Sequence, residues 1–310
     1  MWSPVDRLRP LWKDRCFSPR EDSLSPSTAT EIARLLVQSL WYNGDHLPVY
    51  ILGGTSSISA KVESQLKAII GVGSVERIAG ADRYGTAAAA AAVTRGEIRP
   101  MNTDASQIGN TAYIVTGSAW PDALAAGAVA AYQGVPILLS NTASVPASTT
   151  AAIQDLGISN IIVVGGTSAI SPAAYATLEG IVGSDNTTRV AGNDRYGTAR
   201  AIAQWGIDQE GMSGYSMTLC SGENFPDALS AGVMSYWTGS PLLLTPSKTL
   251  SPSVTAFMDE NHTGMTGPEV YSSYYGYTTQ GESSWCIGGT NAISESVFQQ
   301  WASYVPKAID

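Results

Sequence analysis

With 310 residues, 44% of them hydrophobic and 14% charged, the chain holds enough apolar material for a packed core and too little charge for a disordered one. A formal net charge of −9 sets it against nucleic acid and anionic membranes, so an anionic partner would need local basic pockets. No apolar run reaches the roughly 18 residues of a membrane span, and Met1 to Arg20 lack the apolar centre of a secretory signal.

In chain order, residues 1–16 read as a non-native or disordered start. Cys16-Phe17-Ser18-Pro19 with Leu24-Ser25-Pro26-Ser27 then parallels Leu244-Thr245-Pro246 with Leu250-Ser251-Pro252-Ser253. On that register residues 17–76 are the back half of a unit, and the natural protein is expected to be longer at its N-terminus. The unit is easiest to read further on. Ala112 to Thr116 is a short run of β-formers ended by Gly117. Pro121 suits a first helical position, where its missing N–H is not needed, and Asp122 favours the positive end of the helix dipole. The Ala-rich stretch from Ala123 to Tyr132 is helical until Gly134 stops it. Val135 to Leu139 is the next strand, and Ser144 or Ser148 is expected to cap a helix ending near Gly157. Ile161 to Val164 is a fully apolar strand. Ser171-Pro172 reads as cap and first position of a helix ending near Gly183. Arg189 to Ala191 is a short strand and Tyr196 to Trp205 a helix. Strand alternating with helix predicts an α/β fold of parallel sheets, about four strands to a unit, with helices on both faces. Uninterrupted apolar strands agree, because such strands are buried on both sides.

The unit recurs, and repetition governs the whole reading. Arg77-Ile78-Ala79-Gly80-Ala81-Asp82-Arg83-Tyr84-Gly85-Thr86-Ala87 returns as Arg189-Val190-Ala191-Gly192-Asn193-Asp194-Arg195-Tyr196-Gly197-Thr198-Ala199, an offset of 112 residues (189 minus 77). Pro121-Asp122-Ala123-Leu124 returns as Pro226-Asp227-Ala228-Leu229, and Pro136-Ile137-Leu138-Leu139 as Pro241-Leu242-Leu243-Leu244. A Gly-Gly-Thr segment occurs three times, at Gly53-Gly54-Thr55, Gly165-Gly166-Thr167 and Gly288-Gly289-Thr290, each followed by Ile-Ser. The chain therefore divides into 17–76, 77–188 and 189–310. The last copy carries a Tyr-rich insertion near 261–284, read as a surface segment.

These four ordered motifs resemble those of the bacterial cell wall-binding repeat family, found in tandem on Gram-positive surface proteins. The resemblance covers about residues 17–305. It implies Rossmann-like modules in a pseudo-threefold arrangement, with the first module incomplete and the repeats packed on one another. It also implies non-covalent anchoring of a surface protein to an anionic secondary cell wall polymer, teichoic-acid-like or polysaccharide. Location at the cell wall after export follows, with no signal peptide visible in this chain. No cofactor and no catalysis by the repeats themselves are implied. In the family the Pro-Ile-Leu-Leu segment is tied to attachment; here its leucines read as core that acts through module packing.

Ligands of open parallel sheets bind beyond the carboxyl ends of the strands. That edge is expected to carry Ser118, Glu223 and the turns Gly53-Gly54-Thr55, Gly165-Gly166-Thr167 and Gly288-Gly289-Thr290. Glycine turns before helices expose N–H groups to anions, and Arg77, Arg83, Arg189 and Arg195 supply forked donors. These residues are the candidate ligand-binding set. The blander alternative is that the glycines only allow tight turns, while Arg83 pairs with Asp82 or Asp122. The turns lack the spacing of a nucleotide loop. Asp122 and Asp227 are explained as helix N-terminal acids more simply than as catalytic ones. His46 and His262 lie outside the repeats, so no Ser-His-Asp or metal constellation occurs in duplicate. Cys220 and Cys286 sit in apolar strands as small hydrophobes, and the three cysteines, Cys16 included, form no disulfide framework. Trp120 and Phe225 precede the two Pro-Asp pairs, where they either stack on sugars or are partly buried. A surface-layer or adhesive role through the Tyr-rich insertion is the alternative function, and a wall hydrolase fragment a weaker one.

Overall fold

The computed structural model describes residues 22–43, 47–69, 72–97, 110–214, 216–261 and 284–304. The expected start at 1–16, the Tyr-rich insertion and both histidines lie outside the described residues. The chain divides into two compact units, residues 1–93 and 94–310.

The first unit contains α1 (Pro26–Asn43), β1 (Leu47–Leu52), α2 (Ala60–Lys67) and β2 (Val72–Ile78), and ends within α3 (Arg83–Glu97). β1 and β2 pair in parallel, with Ile51 opposite Arg77. Ile32 and Leu36, one helical turn apart on α1, close on Ile51, Val62 and Leu66 to form a small core.

The second unit continues with β3 (Thr111–Thr116), α4 (Pro121–Gln133), β4 (Ile137–Ser140), α5 (Ala147–Asp155), β5 (Asn160–Val164), α6 (Pro172–Val182) and β6 (Thr187–Val190). After these come α7 (Arg195–Glu210), β7 (Thr218–Ser221), α8 (Phe225–Thr238), β8 (Leu242–Thr245), α9 (Pro252–Asn261), β9 (Trp285–Ile287) and α10 (Glu295–Ala302). Two parallel sheets result, of order β4-β3-β5-β6 and β8-β7-β9. The alternation of strand and helix, the parallel pairing and the buried strands are those expected of tandem Rossmann-like repeats. β6, which carries Arg189, pairs with β5, as β2 with Arg77 pairs with β1. The strand that opens a sequence copy therefore lies in the sheet of the strands before it.

Local signals explain most of the boundaries. α4 begins at Pro121 with Asp122 in its first turn, and Gly134 ends it in the left-handed conformation at φ 69°, which L side chains avoid. The Ser171 side chain accepts from the Ala174 N–H at 3.2 Å and caps α6. The cap of α5 differs from expectation: Pro146 holds the position, without a side-chain bond. Ser148 lies inside the helix, and the Ser144 carbonyl is turned back to accept from Asn141 N–H and the Ser140 hydroxyl.

The main core lies between helices. α4 and α8 present alanines to one another, Ala125, Ala126 and Ala128 on one and Ala228 and Ala231 on the other, so their axes approach closely. α7 packs on both α4 and β8 and draws Ala199 and Ile202 into the same core. On the opposite face of the second sheet, Leu243 and Leu219 pack with Phe257, Val297 and Trp301. Leu242 and Leu244 face the first core, so the Pro-Leu-Leu-Leu strand is interior on both sides. Cys220 is fully buried and Cys286 half-buried, on the adjacent strands β7 and β9. Burial drives the Cys220 thiol far up and pushes that of Cys286 to about 11, which favours the protonated form of both.

Candidate functional site

The repeated Arg-x-Ala-Gly-x-Asp-Arg-Tyr-Gly-Thr segment builds one device twice. Asp194 has extended backbone, and its carboxylate accepts from Gly197 N–H at 2.7 Å, capping α7. The Gly192 N–H donates to the Thr198 hydroxyl at 3.1 Å. Gly192 lies against Gly197 so tightly that a Cβ on it would come within 2.1 Å of the Gly197 carbonyl carbon. Asp82 with Gly85 at 2.8 Å, Gly80 with Thr86 at 3.0 Å and a Cβ clearance of 2.2 Å repeat this geometry in the first unit. These residues force an abrupt passage from strand into helix, which only glycine at both contact points permits.

The leading arginines clamp the preceding turn. Arg189 Nη1 donates to the Gly165 carbonyl at 2.6 Å and Nη2 to that of Ile170 at 3.0 Å, and its guanidinium sits 4.6 Å from the Tyr175 ring centroid. Partial burial lowers the Arg189 pKa, against a pull upward from Tyr175. Arg77 makes the equivalent bond to the Gly53 carbonyl at 2.7 Å and a forked contact with Glu63 at 3.1 and 3.0 Å. Gly53, Gly165 and Gly288 all have positive φ, at 118°, 115° and 130°. At two of these turns an acid from another motif rests on the glycine: a Cβ on Gly165 would meet Asp122 Oδ2 at 2.7 Å, and one on Gly288 would meet Asp227 Oδ2 at 2.9 Å. The Pro-Asp-Ala-Leu, Gly-Gly-Thr and Arg-Tyr-Gly-Thr markers are distant in sequence and meet at one sheet edge.

A cleft of about 290 Å³ opens at that edge in the first sheet of the second unit. Thr116, Ser118 and Asp122 line it from the β3–α4 connection, Thr142 from beyond β4, and Gly166 and Ser168 from the Gly-Gly-Thr turn. Its remaining wall, with Asp194, Arg195 and Thr198, belongs to the next sequence copy. Burial raises Asp122 to about 6, while Arg195 pulls it the other way. Arg195 Nη1 donates to the Gly222 carbonyl at 2.8 Å, and its guanidinium carbon is 5.9 Å from the Trp120 ring centroid. A guanidinium has five N–H donors, so further donors remain for an anion. Trp120 meets Phe225 edge-on, with centroids 6.3 Å apart.

Of the residues singled out in the sequence, Ser118, Gly166 and Arg195 line this cleft, and Gly165 lies behind Asp122. Arg77 and Arg189 are engaged in the turn clamps. Thr55, Thr167 and Thr290 are exposed beside their turns. Gly53, Gly54 and Arg83 lie in the first unit, and Gly288 and Gly289 follow β9. Glu223 is held by Ser247, whose N–H and hydroxyl donate at 3.3 and 2.5 Å and lower its pKa. Its N–H in turn donates to Ser221 Oγ at 3.2 Å, as that of Ser118 does to Thr116 Oγ1. Asp122, Thr142, Ser168 and Asp194 complete the cleft without having been singled out as ligands. One signal pointed to the clamps: each leading arginine follows its turn glycine by 24 residues in both copies.

Fold and cleft together define a tandem α/β module in which residues of two sequence copies line one cleft. Among the described residues no group of His, Cys, Asp and Glu is placed to hold a metal ion, and no helix is long and apolar enough to cross a membrane. The chain belongs to the Cell wall binding domain 2 family, which matches residues 77–175 and 189–298. It is 32% identical over 230 residues to N-acetylmuramoyl-L-alanine amidase LytC of Bacillus subtilis and 27% identical over 224 residues to the amidase enhancer of the same organism. Those matches cover 74% and 72% of this chain but only 40% and 26% of the relatives. Among solved structures, Cwp6 from Clostridium difficile superposes with a TM-score of 0.70 at 25% identity, over 93% of this chain and 39% of that one. Cwp8 from the same organism gives 0.71 at 22% identity, over 97% and 45%, a likeness of fold alone. The matched region is thus a cell wall binding module.

Proposed function

We propose that this chain anchors a surface protein to the wall by gripping an anionic secondary polymer, teichoic-acid-like or polysaccharide, in the cleft at Arg195. The observation that carries the reading is the construction of that cleft. One sequence copy supplies the β3–α4 loop and the Gly-Gly-Thr turn, and the next supplies the guanidinium. A local cation of this kind is what an acidic protein needs to hold a polyanion. The turn glycines, Arg77 and Arg189 then serve the ligand indirectly, by holding the cleft wall in place. The domain layout is 17–76, 77–188 and 189–310, the first module being an incomplete copy, and the modules are arranged about an approximate threefold axis. The mutual packing of α4 and α8 supports the packing of the second module on the third. Any enzymatic partner domain belongs to sequence beyond these repeats.

The test is co-sedimentation of the full chain with purified Bacillus subtilis walls, alongside walls stripped of their secondary polymer. Binding to intact walls only, weakened about tenfold by Arg195→Ala, is expected, since a charged hydrogen bond contributes on the order of 1.5–3 kcal/mol. Equal binding to stripped walls would overturn the reading.

A further inference from the structure

The cleft is poor in positive charge for a site that recognises a polyanion. Its one guanidinium, Arg195, shares the lining with two carboxylates, Asp122 and Asp194. Apart from the Asn193 carboxamide, its other polar side chains are hydroxyls. Those of Ser118, Thr142 and Ser168 have no hydrogen-bond partner among the described residues. Hydroxyls that both give and accept hydrogen bonds, beside carboxylates that accept them, match the hydroxyls of a sugar better than a row of phosphates.

A second, independent feature adjoins it. Phe225, at the start of α8, is 48% exposed, and Leu229 one turn on is 39% exposed. The equivalent positions on α4, Trp120 and Leu124, are only partly exposed. Trp120 touches the cleft cation on one side and Phe225 on the other. An uncovered aromatic costs hydration free energy, and its face is the kind of surface on which the apolar side of a sugar ring stacks. Resting on the wall-binding reading above, we propose that Phe225, braced edge-on by Trp120, is a stacking platform for a pyranose ring of the polymer. Hydroxyls of the adjoining sugar enter the cleft, and a single anionic group pairs with Arg195. The ligand is recognised as a glycan carrying sparse charge.

The test compares the full chain with Phe225→Ala, Phe225→Trp and Arg195→Ala. The probes are purified Bacillus subtilis walls and the soluble wall polymer released from them, at two salt concentrations. Phe225→Ala is expected to weaken binding about tenfold at both salts, the scale of one lost stacking contact, and Phe225→Trp to restore it. Wild-type affinity should fall only about threefold between about 50 and about 200 mM NaCl, as for one ionic contact, and Arg195→Ala should abolish that fall. Wild-type binding with Phe225→Ala unimpaired overturns the platform while leaving the wall-binding reading intact. A fall of about a hundredfold over that salt range, as for four ionic contacts, also overturns it. A Phe225→Ala effect confined to self-association in sedimentation equilibrium shows a protein-docking face and overturns it too. Absence of wild-type binding to walls overturns both.

Discussion

Asp122 supplies the sharpest test of the cleft's electrostatics. Its carboxyl lies over Gly165, and burial lifts its pKa from 3.8 to about 6. Between those two values the folded chain keeps a proton that the unfolded chain has released, so stability falls as pH rises through that window. Below 3.8 both states are protonated, and above about 6 the full cost of the buried charge is present. The gap amounts to about 3 kcal/mol if fully realised, and solvent screening of the half-buried carboxyl reduces it to about 1.5 kcal/mol. Asp122→Asn keeps the shape and removes the charge. It also gives up about 0.5 kcal/mol of attraction to the α4 dipole. We therefore expect the variant to be about 1 kcal/mol more stable than wild type at pH 8, about 3 °C in melting temperature, with no gain at pH 3.5. Urea denaturation followed by circular dichroism across that range measures it. A variant no more stable at pH 8, with the wild-type pH dependence intact, would refute the placement of Asp122 as a buried cleft acid.

Other substitutions probe the repeated device and the core. Gly192→Ala drives a Cβ into the Gly197 backbone and is expected to cost more than about 3 kcal/mol, read as a lowered urea midpoint. Gly127→Ala is the contrast: it lies mid-helix in α4 with nothing within 4 Å of the new Cβ, and should stabilise by about 0.5–1 kcal/mol in the same assay. Arg189→Ala removes two charged hydrogen bonds and the contact with Tyr175, for a loss of about 3 kcal/mol seen in thermal melts. Phe257→Ala empties a fully buried position and should cost about 3–5 kcal/mol by denaturant titration, with wall binding retained where the chain stays folded.

The strands and helices were legible because their signals are local. Pro121 and Gly134 bracket α4, Ser171 caps α6, and the unbroken apolar run from Ile161 to Val164 reads directly as a doubly buried strand. The α5 cap was misread because a serine's capping capacity is a local property, and Ser144 was recruited by the preceding turn. Three of the eventual cleft residues were within reach: Ser118, Gly166 and Arg195 sit on the sheet edge where parallel folds bind. The partition of the arginines was not, because Arg189 and Arg195 look alike on a sequence line. Their fates depend on contacts with Gly165 and Gly222, set by sheet register and loop path. Asp122 was read as a helix acid, and it is one. That it also overhangs Gly165 is a long-range contact that no periodicity encodes.

Because β6 completes the sheet before it and Arg195 closes that sheet's cleft, the unit duplicated in the sequence and the unit that encloses the cleft are out of phase. Such an array behaves like a fence, in which the panels lie between the posts. The third copy finishes the sheet and the cleft of the second. An engineer excising a repeat from Arg189 onward would strip a strand and a cation from the neighbour left behind. A working excerpt must overrun the apparent boundary to Thr198 at least.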